Sequence, residues 1–396
     1  MASQDEIRAA GPAQASWIND PKMRGLIYQI IVVVLLSAFV YWIVGNTLEN
    51  LRRANIGSGF GFLDRRAGFD IAQTLLQYTA DSTFGRALVI GFVNTALVAV
   101  CGILTATLIG FIVGVGRLSG NWLIAKICTV YVEVFRNIPP LLVIFFWYFG
   151  VLSVLPLPRD SIEMPLNTYL NSRGFFVPSA SFGPDIWLVV AAFVVAIALS
   201  WFVKRKAYQR QMATGEQFPV LWTSLGLIIG LPLLAFFLAG MPVTFEFPVL
   251  GAFNLNGGVS IKPEFLSLYL ALSFYTASFI AEIVRAGILG VSRGQSEAAH
   301  ALGVRAGPTL RLVIIPQAMR IVIPPLTSQY LNLTKNSSLA VAVGYPDLVA
   351  IGQTTMNQTG QAIEVVAIWM VVYLGLSLST STFMNWFNAK MALVER

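Results

Sequence analysis

Charge is what this chain has least of. Only 11% of its 396 residues are charged, where an ordinary soluble domain carries about 25%. Twenty-six basic and 19 acidic side chains cannot coat the two or three soluble domains that such a length would otherwise form. Cysteine is nearly absent: Cys101 and Cys128 both lie in or beside apolar segments, which excludes a disulfide scaffold. The one histidine, His300, has no Cys or carboxylate set at metal spacing apart from nearby Glu297, so it reads as a surface side chain and not as a ligand. No lysine follows a glycine anywhere. The phosphate loop GxxxxGK[ST] is therefore missing, and the chain cannot hydrolyse ATP alone.

What the chain has is apolar surface: 56% hydrophobic residues and a mean hydropathy of +0.71. The surplus must face lipid. A helix needs about 20 apolar residues to cross a hydrocarbon core of about 30 Å, and eight runs qualify, near 26–44, 86–116, 134–155, 185–203, 218–240, 264–289, 321–343 and 363–385. The expectation is an all-α integral membrane protein with about eight transmembrane helices. The first run is too long for a signal peptide and lacks a small-residue cleavage site, so it is expected to remain as an anchor. Residues 1–85 then form an anchor helix and an external loop, and residues 86–390 the main membrane domain.

Basic residues set the orientation. If both termini and the even-numbered connections share one side, that side holds 16 Lys and Arg against 7 on the other. The positive-inside rule makes the richer side cytoplasmic. The net charge of +7 is accounted for in this way, since the basic residues lie beside hydrophobic runs and form no stripe suited to nucleic acid. Four arginines in the first external connection run against the rule, and the sequence gives no reason for them. Glu133 with Arg136, and Glu282 with Arg285, are i,i+3 pairs that share a helical face near a membrane boundary. Mutual neutralisation and a transport role both fit them.

Between the sixth and seventh runs lies a segment unusual for a loop: Glu297, Ala298, Ala299, three residues, Gly303, nine residues, then Val313, Ile314, Ile315 and Pro316. It reads as helix, turn, helix. The alanines favour helix, Gly303 sits where a helix ends with φ > 0, and Pro308 fits the first turn of a second helix. Such short helices need a partner surface, because they are not stable alone in water.

This spacing resembles the EAA loop of ABC importer permeases: EAA, three residues, Gly, nine residues, Ile, any residue, Leu, Pro. Val313 and Ile315 replace the family's Ile and Leu. The runs EVFRNIPPLLVIFFWYFG (133–150), SFYTASFIAEIVRAGI (273–288) and PQAMRIVIPPLTSQYLNLTKNSSLAVAVG (316–344) look like the polar amino-acid branch of those permeases. The chain departs from that branch by its N-terminal anchor and by inserted spans near 185–240, a layout similar to one permease subunit of the general L-amino acid importers. The resemblance implies the transmembrane domain of a type I ABC importer in the bacterial inner membrane, moving L-amino acids from periplasm to cytoplasm. Residues 291–320 would be the cytoplasmic coupling loop, in which Glu297, Ala298, Ala299, Gly303 and Pro316 meet an ATPase. It further implies two ATPase subunits that bind the ATP and Mg, a second homologous permease, and a periplasmic substrate-binding protein. No cofactor is expected in this chain.

Lys335 lies inside the seventh run, where a charge costs about 3 kcal/mol on insertion scales, so it must face protein or water. With Asn332, Asn336, Ser337 and Ser338 it forms a polar face suited to a substrate pathway, to which Glu282 and Arg285 would add. Pairing with an acid to fix helix packing is the alternative. Gly57, Gly59 and Gly61 echo a dinucleotide loop, but with no strand before them they read as a flexible external loop. Gly110 with Gly114, and Gly226 with Gly230, are spaced for close helix packing. Two other classes compete. A self-sufficient secondary transporter has no use for an EAA loop, and a membrane-embedded enzyme needs a nucleophile with a base, or clustered carboxylates, that the runs do not supply.

Overall fold

In hydrocarbon the backbone has only itself to bond with, so long apolar runs become helices. The computed structural model describes residues 21–53, 59–251 and 254–391. Gly57 and the two chain ends, on which the expected side of the termini depends, lie outside them. Among the described residues, seven helices are long and apolar enough to cross a membrane. They include α1 (Pro21–Arg53) and α2 (Phe84–Gly116). The run expected as a third span, 134–155, is instead broken: α3 (Trp122–Asn137) and a second stretch from α4 (Pro140–Phe145) through a π-helical turn to Leu152 meet at 111°. Pro139 and Pro140 cause the break, since neither has an N–H to donate and Ile138 before them is held extended at φ −104° and ψ 134°.

The inserted spans are α5 (Ile186–Thr214) and α6 (Val220–Leu238), which pack on each other as a hairpin. The connections on either side of that hairpin are built of short strands. Strands β1 (Ile162–Met164), β2 (Thr168–Asn171), β3 (Gly174–Val177) and β4 (Ser179–Phe182) precede it, and β5 (Val243–Glu246), β6 (Val249–Leu250), β7 (Leu255–Asn256) and β8 (Val259–Ile261) follow it. Antiparallel pairs β3–β8 and β4–β5 zip the two connections together, with Phe175 opposite Ile261 and Ser179 opposite Glu246. The hairpin thus rises from a β-ribbon that fixes both of its ends.

The core forms around α7 (Pro263–Leu289), whose Leu268, Ala271, Leu272, Ala277 and Ile280 are fully buried. A Cβ on Gly110 of α2 would sit 2.5 Å from Ile280 of α7, and one on Gly114 would sit 2.7 Å from the Ala281 carbonyl. The glycines let the two backbones touch. Gly226 and Gly230 meet nothing within 4 Å, so the expectation of packing there is not met within this chain.

After α7 come α8 (Arg293–Ala301), α9 (Ala306–Thr309), a π-helical turn at Leu310–Ile314 and α10 (Ile315–Asn336). The seventh run, expected at 321–343, is therefore part of a longer helical stretch, Ala306–Val343, because the helix begins in the preceding loop. A 3-10 segment, Ser337–Val343, leads to α11 (Leu348–Thr359) and to α12 (Ala362–Met391).

The segment 59–83 caps one end of the bundle. Its Phe62 is buried beside Phe84, Ile90, Leu348 and Val365. This accounts for one of the arginines that broke the charge rule, since Arg66 pairs with Asp81 at 2.6 Å; Arg86, at the start of α2, donates to the Gln77 carbonyl at 3.0 Å.

Close packing generates a prediction. Gly114→Leu forces a side chain into the α2–α7 contact, where overpacking costs about 1–3 kcal/mol, whereas Gly226→Leu faces open space and stays within about 0.5 kcal/mol of wild type. Thermal unfolding of the detergent-solubilised protein should separate the two, and equal melting temperatures would show that the α2–α7 contact is looser than described.

A second concerns Asp347, which caps α11 by accepting from the Ala350 N–H at 2.8 Å. Burial pushes its carboxyl up to about 7, against the lowering effect of backbone hydrogen bonds from Ala350 and Val349. The folded-state value lies above that of an unfolded Asp, about 3.9, so the favourable contribution of the protonated form is complete below about pH 4 and lost as pH rises through about 7. Asp347→Asn keeps an acceptor for the cap and removes the titration. Its melting temperature should decline less between about pH 5 and pH 8 than that of wild type, and parallel declines would exclude Asp347 as the source.

Candidate functional site: a coupling surface and a charge hub

The segment 293–316 carries the motif. Helix α8 ends in a complete Schellman turn: the Gly303 N–H donates to the His300 carbonyl at 2.9 Å and the Val304 N–H to the Ala299 carbonyl at 3.0 Å. Gly303 has φ +75°, the left-handed conformation that the sequence predicts for it. Ala299 is buried, while Glu297, Ala298 and His300 are exposed. Pro308 falls in the first turn of α9, as expected.

Two features were not legible in the sequence. Leu302 is 84% exposed and Leu312 70%, so the loop presents bare leucines. The place of Leu302 at the C-cap of α8, off the buried face, was the available signal. The second is Pro316, which does not open a new helix. Lacking an N–H, it cannot bond to the Leu312 carbonyl; the helix widens just before it, and the Ile315 N–H donates five residues back to Leu310. The loop therefore runs without interruption into the span α10. Gln317 also donates to Gln295 at 3.3 Å, tying α8 to the start of α10.

The second feature lies at the same ends of α2 and α7. The two pairs recognised separately in the sequence belong to one hub. Glu282 accepts from Arg117, just past α2, and from Arg285 at 2.6 Å, and Arg136 of α3 stands 3.8 Å away. Glu133 lies 3.9 Å from Arg117, and Arg136 also sits over the Phe279 ring at 5.5 Å. One carboxylate thus faces three guanidinium groups from three helices. Arg117 was the member that sequence reading missed, because nothing in linear spacing links residues 117 and 282.

The remaining pathway candidates sit elsewhere. Asn332 and Lys335 are exposed on α10, Ser337 is buried with its hydroxyl donating to the Thr334 carbonyl at 2.7 Å, and Ser338 donates to the Lys335 carbonyl at 2.8 Å. Lys335 is 20 residues beyond the start of α10, about 30 Å along a helix. Glu282 and Arg285 are near the end of α7, which leads into the start of that same loop and helix. The two groups therefore lie at different levels of the bundle.

The hub predicts a coupled loss. Glu282→Gln leaves three arginines without their shared carboxylate and should destabilise the protein by about 1–3 kcal/mol. Adding Arg117→Gln should cost less than the sum of the single changes, because the two side chains interact directly. Additive losses in a double-mutant cycle, read by thermal unfolding, would mean that the pair contributes no coupling.

The comparisons with known proteins agree on one lineage. Residues 106–393 match the family described as binding-protein-dependent transport system inner membrane component. The chain is 61% identical over 390 residues, 98% of each chain, to the general L-amino acid transport system permease protein AapQ of Rhizobium johnstonii. It is 49% identical over 378 residues, 95% of this chain and 96% of the other, to the putative amino-acid ABC transporter permease protein YhdX of Escherichia coli. Over the full length of both chains it is 41% identical to the glutamate/glutamine/aspartate/asparagine transport system permease protein BztB of Rhodobacter capsulatus. With the motif, its left-handed glycine and the helical membrane bundle in place, the chain belongs to the binding-protein-dependent transport system inner membrane components.

Proposed function

We propose that this membrane component is the permease subunit of an ATP-driven importer of L-amino acids, and that energy reaches it through residues 293–316. The observation that carries the reading is the Schellman-closed turn at Gly303, which holds Glu297 and Leu302 on an exposed surface of a chain that has no phosphate loop of its own. Relatives that share nearly its whole length bear the names of amino-acid permeases. The chain itself is non-catalytic and needs no cofactor. Two separate ATPase subunits bind ATP and Mg, a second homologous permease completes the pathway, and a periplasmic binding protein delivers the substrate. The complex sits in the inner membrane with residues 291–320 and both termini in the cytoplasm.

The chemistry of coupling follows from the loop. Neither α8 nor α9 is long enough to be stable by itself, so the conformation depends on the Gly303 turn and on the surface that covers the leucines. An ATPase cleft that buries Leu302 gains apolar contact, and a cation there pairs with Glu297. Motion of that cleft then moves α8, and through α9 and the π turn it moves α10.

A graded series at Gly303 tests this. A residue with a Cβ in the left-handed region costs roughly 1–2 kcal/mol, and Asn tolerates it best. Gly303→Asn should keep most ATPase association and uptake. Gly303→Val and Glu297→Lys should insert normally yet lose about tenfold or more of ATPase co-purification, together with ATP-driven uptake. Wild-type association and uptake in both would refute the coupling assignment, and uptake without any ATPase subunit would point to a secondary transporter.

A further inference from the structure

The inserted hairpin α5–α6 is the part of the fold least used by the transport reading, and one end of it is chemically distinctive. Helix α5 is 29 residues long, about 43 Å, against a hydrocarbon core of about 30 Å. Counted from Ile186, the chain reaches the far boundary at about residue 205. Lys204, Arg205, Lys206 and Arg210 fall there, within seven residues of one another. Connectivity puts this end of α5 on the same side of the membrane as α8.

Aromatic side chains collar these cations. Arg205 sits 5.6 Å from the centre of the Trp201 ring, and the Lys206 ammonium 5.0 Å from that of Phe202. Glu216 is occupied by Arg210, at 2.7 and 3.0 Å. Lys204, Arg205 and Lys206 therefore keep an excess of positive charge, and all three are exposed.

Two clefts flank α5 at this level. One, of about 460 Å³, is lined by Trp201, Lys204, Arg205, Tyr208 and Phe218. The other, of about 560 Å³, is lined by Phe202, Lys206, Arg210 and Phe218. Each combines an apolar floor with cations at its rim. Scattered basic residues that merely orient a helix need neither aromatic partners nor a cleft. An anionic headgroup with acyl chains below it needs both, since the phosphate meets the cations where water is thin and the chains run down the apolar faces of α5 and α6.

We propose that the cleft lined by Trp201, Lys204, Arg205, Tyr208 and Phe218 is a binding site for an anionic glycerophospholipid, its phosphate held by Lys204 and Arg205, with Lys206 on the other flank of α5 adding to the local positive charge and the acyl chains lying against the hairpin. The site would fasten the inserted hairpin to the membrane boundary at the end opposite the β-ribbon. The inference depends on α5 and α6 crossing the membrane and not on what the protein carries.

The test uses the full chain with its native partners, extracted in mild detergent and stripped of loosely held lipid, with tightly retained phospholipid identified by mass spectrometry. Phosphatidylglycerol or cardiolipin should be retained over phosphatidylcholine when each is offered in mixed micelles. Each basic residue at a membrane surface contributes about 1 kcal/mol, so the triple variant K204Q/R205Q/K206Q should retain anionic lipid roughly 100-fold less well. Because removing positive charge can disturb insertion, W201A/F202A is the companion: it keeps every charge and should also lose retention, by about tenfold. Equal retention by wild type and both variants, or no preference for anionic over zwitterionic lipid, would overturn the proposal. Inorganic phosphate offered as competitor separates the sources: failure to displace the lipid supports a lipid site, and full displacement would show a site for free phosphate instead. Loss of ATP-driven uptake with lipid retention intact would bear on the transport reading and leave this one standing.

Discussion

The contact between α2 and α7 is the constraint from which the rest of the bundle follows. Two helices in lipid gain little from the hydrophobic effect, since the acyl chains are as apolar as their side chains, so they associate by close approach and by polar contacts across the seam. Gly110 and Gly114 allow the backbones to touch, and Thr105 shares a hydrogen bond with Tyr269 across the same seam at 2.7 Å. Once α2 and α7 are held in this register, Arg117 emerges directly beside Glu282. The hub then draws in α3 through Glu133 and Arg136, and so ties the broken third segment to the pair. Tyr131 adds a hydrogen bond from α3 to the Phe274 carbonyl at 2.6 Å.

Local features of the sequence could be read and relations between distant residues could not. Runs of apolar residues foretell helices because lipid leaves the backbone no alternative, and Gly303 foretells its own φ because the turn that follows α8 needs it. Nothing comparable announces the hub. Glu133–Arg136 and Glu282–Arg285 look like two self-contained pairs on two helices, and only the α2–α7 register reveals that Arg117 completes them. The β-ribbon was hidden for a similar reason: β3 and β8 are separated by the whole α5–α6 hairpin, so the pairing partner of each short strand lies outside any local window. Pro139–Pro140 was the opposite case, a local signal outweighed by the hydropathy of the residues around it.

The candidate substrate residues divide along the same line. Polar residues in an apolar run mark a helix that must face something other than lipid, and α10 does present Asn332 and Lys335 outward from this chain. Their distance from Glu282 shows why composition alone could not group them. A carboxylate near the C-terminal end of α7 and an ammonium near the C-terminal end of α10 lie at different levels of the bundle. Glu282 is already committed to three arginines, which fits a joint between helices better than a free acceptor for a substrate amine.

On the proposed reading of residues 293–316 as a coupling loop, that joint and the loop are parts of one lever. Helix α10 receives the loop at one end and packs against α7 along its length, most tightly where Gly287 faces Val322; a Cβ on that glycine would stand 2.3 Å from the valine side chain. A helix passes a displacement along its axis with little loss as long as its hydrogen-bond ladder is intact. The ladder of α10 is intact except near its prolines, Pro316, Pro324 and Pro325. The π turn before Pro316 places the first of these weak points between the exposed leucines and the α7 contact. Rotation of α8 can therefore be taken up partly at residues 310–316, and what passes onward reaches α10 just where Ala318 and Val322 grip α7. On the other side of α7, Glu282 and its arginines hold α2 and α3 fixed. Under the coupling proposed for residues 293–316, the loop would push on a helix whose neighbour is anchored, the condition under which a small movement at Gly303 is converted into sliding between α7 and α10 instead of a drift of the whole bundle.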